Sequence, residues 1–178
     1  FEYLEKNDPL LLLYIKFISF NFLRPVEVNR LLVKSINLKE KKLSVKTKTN
    51  KLKTKIIPDI LLQELPDLSQ LNQDNYLFTP NGLGLEWVAE ENNRRDSFSK
   101  RFKTVIKDHF NLGSEYGLYS FRHTFITKLY RNLRENKSPH ETKGILMNIT
   151  GHVTMDALEK YLRDIDAELP EDYSNLIR

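Results

Sequence analysis

A tyrosine, two histidines, two arginines and a group of lysines could do chemistry together in this chain. Gly151-His152 stands nine positions before Tyr161, in the stretch Gly-His-Val-Thr-Met-Asp-Ala-Leu-Glu-Lys-Tyr. Arg122 and His123 are adjacent in Leu-Tyr-Ser-Phe-Arg-His-Thr-Phe, residues 118–125, and Arg24 lies in Phe-Leu-Arg-Pro-Val-Glu, residues 22–27. A free phenol has a pKa near 10, so about one in a thousand is ionised at pH 7, and forming the phenolate costs roughly 4 kcal/mol. A nucleophilic tyrosine therefore needs cations or a base beside it. Guanidinium groups stay charged and fork onto two oxygens, which suits a phosphate whose charge rises in the transition state. The chemistry these groups suit is attack by a tyrosine on a phosphodiester, without metal.

Metal chemistry finds little support in the residue spacing. His109, His123, His140 and His152 include no pair at i,i+4, and the chain has no cysteine. A phosphate-cradling glycine loop is also missing, so no metal site and no cofactor is expected. Between Arg24 and Arg122, residues 33–57 carry Lys39, Lys41, Lys42, Lys46, Lys48, Lys51, Lys53 and Lys55 against only Glu40 among acids. Lysines of this kind serve either as solvated protection of an edge strand or as a basic hairpin on a phosphate backbone.

The elements that must position these groups are legible in outline. Asp8-Pro9 is a helix start, and Leu11, Leu12, Ile15, Ile18 and Phe22 recur at helical spacing in a segment apolar on its other faces too. Such a helix is buried. Pro25 ends or bends it, and Glu27 to Leu32 predicts a short second helix. Ile36, Leu38, Leu43, Val45, Ile56 and Ile57 predict a three-stranded antiparallel sheet over residues 33–57. Pro58 begins a short helix through Leu65, Pro80-Asn81-Gly82 is a turn, and residues 85–93 are left unassigned. Asp96 is expected to cap a helix burying Phe98, Phe102, Val105, Ile106 and Phe110, and the next helix, from near Ser120, to bury Phe121, Phe125, Leu129 and Leu133. Ser138-Pro139-His140-Glu141 has capping-box spacing, Gly151 ends that helix, and Thr154 caps a last one carrying Tyr161.

The chain has 178 residues, is 40% hydrophobic and 29% charged, and carries a net charge of +4. One domain over residues 1–161 with a tail over 162–178 is expected, α+β and mostly helical. The balance leans toward an anionic partner. The apolar run Leu10 to Ile15 is too short to span a bilayer, and Glu2, Glu5 and Asp8 precede it where a signal peptide carries positive charge. With no cysteine, a cytoplasmic location fits. The first residue is phenylalanine, so the chain is expected to be a piece of a longer protein.

In order and separation, the three boxes and the lysine segment resemble those of the catalytic domain of the tyrosine recombinase (phage integrase) family. The resemblance covers nearly the whole chain and implies that family's catalytic-domain fold, with the usual N-terminal core-binding domain absent. It implies site-specific cutting and rejoining of double-stranded DNA at a recombination site, through a 3′-phosphotyrosyl intermediate. Tyr161 is then the nucleophile, Arg24 and Arg122 hold the phosphate, and His152 bonds a non-bridging oxygen. Lys48, twenty-four positions after Arg24, protonates the leaving 5′ oxygen. Glu27 holds Arg24 or is an ordinary i,i+3 helix partner, and His123 is a supporting residue. Lys46, Lys51 and Lys53 contact DNA, and Lys46 and Lys51 lie close enough to Lys48 to compete for its role.

One position departs from the pattern. The second box usually opens with histidine three residues before the arginine, where this chain has Tyr119. A tyrosine can donate a hydrogen bond to phosphate but cannot serve as an acid-base group near pH 7. Two other readings share the fold: a catalytically silent DNA-binding or regulatory domain, and DNA relaxation like that of a type IB topoisomerase. The resemblance also implies a monomer that forms a homo-tetramer on DNA, with the tail exchanged between subunits. Ile165, Leu169, Tyr173, Leu176 and Ile177, set among acids and broken by Pro170, fit either that exchange or packing onto the chain's own domain.

Overall fold

The computed structural model describes residues 1–46, 52–165, 167–170, 172 and 174–177. They divide into two compact units, Phe1–Arg122 and His123–Arg178, where the sequence predicts one domain over 1–161. The first is α+β and the second helical.

The first unit is built on α2 (Pro9–Phe20), which follows the short α1 (Glu2–Asn7). Asp8 caps α2 by accepting from Leu11 N at 2.9 Å, with Pro9 at the first helical position. Every residue from Leu11 to Ser19 is buried, as an all-round apolar helix requires. Asp8 is also buried, and Arg101 Nε and Nη2 fork onto its carboxylate at 2.6 and 2.8 Å. Tyr14 stacks on Phe98 at 4.2 Å, and its hydroxyl donates to Pro25 O at 2.9 Å. Burial pushes the Tyr14 phenol far above its ordinary pKa, so this tyrosine is a structural strut.

A three-stranded antiparallel sheet follows, in the order β1 (Ile36–Asn37), β2 (Lys42–Lys46), β3 (Leu52–Ile56). Before it, α3 (Pro25–Val28) is a single turn, shorter than the predicted Glu27–Leu32. The chain leaves the helix because Leu31 and Leu32 pair elsewhere: Leu77 N donates to Leu31 O at 2.8 Å, and Leu32 bridges Tyr76. After the sheet come α4 (Asp59–Leu62), also one turn, and the small hairpin β4 (Phe78–Thr79), β5 (Gly82–Leu83) around the predicted turn.

α5 (Glu91–Phe102) starts well before the predicted cap, Asp96. Asp96 lies inside it, paired with Arg95 at 3.1 Å. Polar ties start the helix early: Arg30 forks onto Glu91, and Arg94 donates to Ala89 O. A π-turn, Lys103–Lys107, leads into α6 (Asp108–Phe110). Its extra residue rotates the face, so Phe98, Phe102 and Ile106 are buried while Phe110 is exposed.

α7 (Leu118–Arg134) begins in the first unit and continues into the second. Its fully buried row is Leu118, Arg122, Ile126 and Tyr130, at i, i+4, i+8 and i+12. The predicted row, Phe121, Phe125, Leu129 and Leu133, is only half-buried beside it. The helix thus buries an arginine and a tyrosine ahead of its predicted apolar stripe.

In the second unit, α8 (Pro139–Thr150) is capped by Ser138, whose hydroxyl accepts from Glu141 N at 3.3 Å. Gly151 ends it at φ 74, a left-handed conformation that glycine adopts without Cβ strain. Thr154 caps α9 (Met155–Asp164) by accepting from Ala157 N at 3.2 Å, and α9 buries Leu158 and Leu162. The chain beyond Tyr161 therefore starts as part of the packed unit. Ala167 is buried, and the Glu168 carboxylate accepts from Tyr130 Oη at 3.1 Å and pairs with Lys143 at 2.8 Å. Burial alone raises the Glu168 carboxyl, but hydrogen bonds from Lys143 and Tyr130 outweigh it and hold the pKa below the usual range.

Glu168 thus clasps α7 and α8 within the chain. Its ionised form supports folding above the unfolded carboxylate range near 4.3, and that support is lost as pH falls through the lower folded value. Tyr130→Phe removes one hydrogen bond and should cost roughly 0.5–1.5 kcal/mol, read as a fall of a few degrees in Tm at neutral pH. The deficit should shrink toward pH 3; an equal deficit at both pH values would mean the clasp contributes nothing.

Candidate functional site

In the first unit the cations gather around the corner between α2 and α3. Phe22 is buried and takes a left-handed φ of 54, unusual for a non-glycine residue, which turns the chain out of α2 toward Arg24. The corner is tied to the sheet: Asn21 Nδ2 donates to Ile56 O at 2.7 Å, and Lys55 Nζ donates to Asn21 O. Arg24 is the residue before Pro25. Its backbone N donates to Glu27 Oε2 at 2.8 Å, and its guanidinium reaches Glu27 Oε1 at 3.3 Å. Glu27 is buried, so a carboxylate held on the backbone fixes the direction of a half-exposed arginine. Glu27 meets Arg24 at i,i+3 through both its backbone and its side chain. Arg122 is 0% exposed.

β3 presents its lysines inward. Lys53 opposes Val45 and Lys55 opposes Leu43, and both partners are buried. Because strand side chains alternate, Lys53 and Lys55 share that inner face. Lys55 is 9% exposed and Lys53 half-buried, whereas Leu52 and Ile56 stand 68% and 64% exposed. Ile56 lies in a strand, as the sequence predicts, but on its outer face. Burial lowers the pKa of Lys53, opposed by Glu27 and reinforced by the charges of Arg122 and Arg24. Lys55 is lowered further, first by burial and then by Lys53 and Arg122. Lys53 was predicted as a DNA contact; it sits in the field of both arginines. Lys55 was not singled out, and only its i,i+2 spacing from Lys53 could have marked it. Lys46 is exposed at the end of β2. Lys48 and Lys51 lie outside the described residues.

In the second unit Tyr161 lies beside two imidazoles. Its ring stacks on His123 at 5.3 Å and 19°, and His152 lies 5.0 Å away, tilted by 42°. α9 carries Tyr161 half-buried on the helix that Thr154 caps, and α7 carries His123. His152 follows Gly151, whose left-handed turn lets the ring fold back onto α8, where its Nδ1 lies 2.6 Å from Thr150 Oγ1. Thr150 is buried and donates to Leu146 O at 2.8 Å. Tyr119 is half-buried in the first turn of α7. Among the described residues no group of three or more His, Cys, Asp and Glu could hold a metal, and no helix is long and apolar enough to cross a membrane.

The arrangement offers chemistry of two kinds. The first unit offers positive charge fixed by burial and by Glu27, suited to an anion of tetrahedral shape. The second offers a phenol beside two imidazoles, each with a ring nitrogen that can accept and one that can donate a hydrogen bond.

No family model and no curated protein matches this sequence. Solved structures do match in fold. XerA recombinase superposes with a TM-score of 0.63 at 16% identity, over 97% of this chain and 62% of that one. The Tn1549 transposon integrase, solved with a circular-intermediate DNA, gives 0.57 at 15% identity, over 83% and 52% of the two chains. XerH site-specific recombinase bound to its difH substrate gives 0.57 at 18% identity, over 95% and 45%. The chain thus spans about half to three-fifths of the length of these proteins. The fold, mostly helical with a small antiparallel sheet, is that of the tyrosine recombinase catalytic domain.

Proposed function

We propose that this chain is the catalytic part of an enzyme that cuts and rejoins DNA through a 3′-phosphotyrosyl bond to Tyr161. The observation that carries the proposal is the placement of Tyr161 beside both His123 and His152, at 5.3 and 5.0 Å between ring centres. The Tyr14 phenol, by contrast, is buried, with its hydroxyl committed to Pro25 O. Tyr161 instead has groups beside it that can take or give a proton at neutral pH.

In this reading Arg24 and Arg122 bind the non-bridging oxygens of one phosphodiester and offset the charge that builds as Tyr161 attacks. A hairpin lysine protonates the 5′ oxygen as it leaves: Lys48 by the family pattern, or Lys53, which burial makes readier to give up its proton. The phosphodiester energy is kept in the covalent bond, so rejoining to another strand needs no nucleotide. The partner is double-stranded DNA at a specific recombination site, bound by four copies of the whole protein. The fold likeness to recombinases and integrases solved with DNA supports this partner.

The test is incubation with a nicked duplex whose 5′ fragment diffuses away after cleavage, with the covalent protein–DNA adduct read on a denaturing gel. An adduct is expected, and its yield should be unchanged in excess EDTA, because two guanidiniums and a lysine supply the positive charge the reaction needs. Absence of an adduct with every substrate tried would favour the silent DNA-binding reading. A yield lost in EDTA and restored by Mg²⁺ or Zn²⁺ would contradict the charge assignment.

A further inference from the structure

The proposed reaction leaves one proton without an owner. Tyr161 must lose its phenolic hydrogen, and Tyr119, at the second-box position, cannot take it near neutral pH. Two imidazoles flank Tyr161. His123 lies nearly parallel to it, at 19°, so it meets the phenol ring face to face. His152 is tilted by 42°, and its other contacts determine what it can do.

The deciding contact is with Thr150. A hydroxyl has one hydrogen to give. Thr150 Oγ1 lies 2.8 Å from Leu146 O, and a carbonyl oxygen can only accept. The hydroxyl hydrogen is therefore committed to that carbonyl, the back-bond to i−4 that threonine makes within helices. At 2.6 Å from the same oxygen, His152 Nδ1 must be the donor. The chain of bonds runs Nδ1–H to Oγ1–H to the Leu146 carbonyl. Thr150 is buried, so water does not readily replace either partner. A neutral His152 with its hydrogen on Nδ1 leaves the lone pair on Nε2.

We propose that Thr150 is a positioning residue that locks neutral His152 in the Nδ1–H tautomer, so that Nε2 accepts the Tyr161 proton. The role rests on the reading of Tyr161 as nucleophile; the tautomer lock does not. In the step, the Tyr161 O–H bond breaks and its proton passes to His152 Nε2. The phenolic oxygen bonds to phosphorus, the P–O5′ bond breaks, and a hairpin lysine gives its proton to the 5′ oxygen. His152 is then an imidazolium whose Nε2–H can donate to a non-bridging oxygen, the role predicted for it at the outset. The reverse sequence returns the proton to Tyr161 when a 5′ hydroxyl attacks.

The Thr150–His152 contact has a local cause. Thr150 is the last residue of α8, and Gly151 at φ 74 reverses the chain, so the residue after next returns over the helix end. Valine at 150 keeps the volume and removes the hydroxyl. A residue other than glycine at 151 would strain that turn.

The experiment is long-range ¹H–¹⁵N correlation on histidine-labelled protein without DNA, with the His152 signals assigned by their loss in His152→Gln. Above its pKa, His152 should show a protonated Nδ1 and an unprotonated Nε2. Thr150→Val should move the ring toward the Nε2–H form that free imidazoles prefer, and Thr150→Ser should restore the parental spectrum. On nicked DNA, Thr150→Val should slow single-turnover cleavage by about tenfold, the value of one hydrogen bond, and Thr150→Ser should recover it. A parental His152 with its hydrogen on Nε2, or a spectrum unchanged by Thr150→Val, would overturn the lock. The locked tautomer in a protein that forms no adduct would sustain the lock and overturn the proposed reaction.

Discussion

Tyr161→Phe should form no covalent adduct on nicked DNA while binding that DNA nearly as well as the parent. The loss is complete because the substitution removes the only atom of the side chain that can bond to phosphorus. Folding should survive, since phenylalanine keeps the ring that stacks on His123 and packs beside His152. Gel-shift affinity and a thermal melt alongside the adduct assay separate the outcomes. An adduct that persists in Tyr161→Phe and maps to another tyrosine would falsify the nucleophile assignment. Loss of both adduct and binding would show that the ring matters to structure instead.

Arg122→Lys should lose at least about a hundredfold in cleavage rate, the range for removing one preorganised donor from an oxyanion site. Lysine keeps the charge but not the planar fork, so the loss reports geometry more than net charge. Arg122 is the large polar side chain with no exposed surface in the buried row of α7, which fixes its position without loop ordering. Its removal also changes the field on Lys53 and Lys55, whose pKa values it lowers. Some destabilisation will accompany the change, and melting curves give the folded fraction against which the rate is corrected. Parental cleavage by folded Arg122→Lys would remove Arg122 from the site.

The parts of the fold that were legible in the sequence are those written in local chemistry. Asp8-Pro9, Ser138-Pro139, Gly151 and Thr154 each start or stop a helix through their own side chain or backbone freedom, and each does so in the structure. The three-stranded sheet was legible from its apolar runs and turn residues. What was not legible depends on tertiary burial. The lysine run fits a solvated or DNA-facing surface, yet the register with Val45 and Leu43 turns Lys53 and Lys55 in and leaves Leu52 and Ile56 exposed. The buried row of α7 likewise contains Arg122 and Tyr130 instead of the phenylalanines. Hydrophobic periodicity cannot predict a buried cation, because the reason for burial lies in other segments: the Asn21 carbonyl for Lys55, the Glu27 carboxylate for Lys53. Of the candidate site residues, Tyr161, His152 and His123 lie near one another in the second unit. Their spacing did not foretell Thr150, whose hydroxyl matters only once Gly151 has folded His152 back.

The most direct test is to find the atom that holds the DNA. Wild-type protein is trapped on nicked duplexes labelled at one end or the other, the adduct is digested with protease, and the DNA-linked peptide is identified by mass. The account predicts a peptide containing Tyr161 joined to a 3′ phosphate, with a free 5′ hydroxyl on the released strand. A 5′-linked adduct, or a 3′ link to any residue but Tyr161, would contradict it.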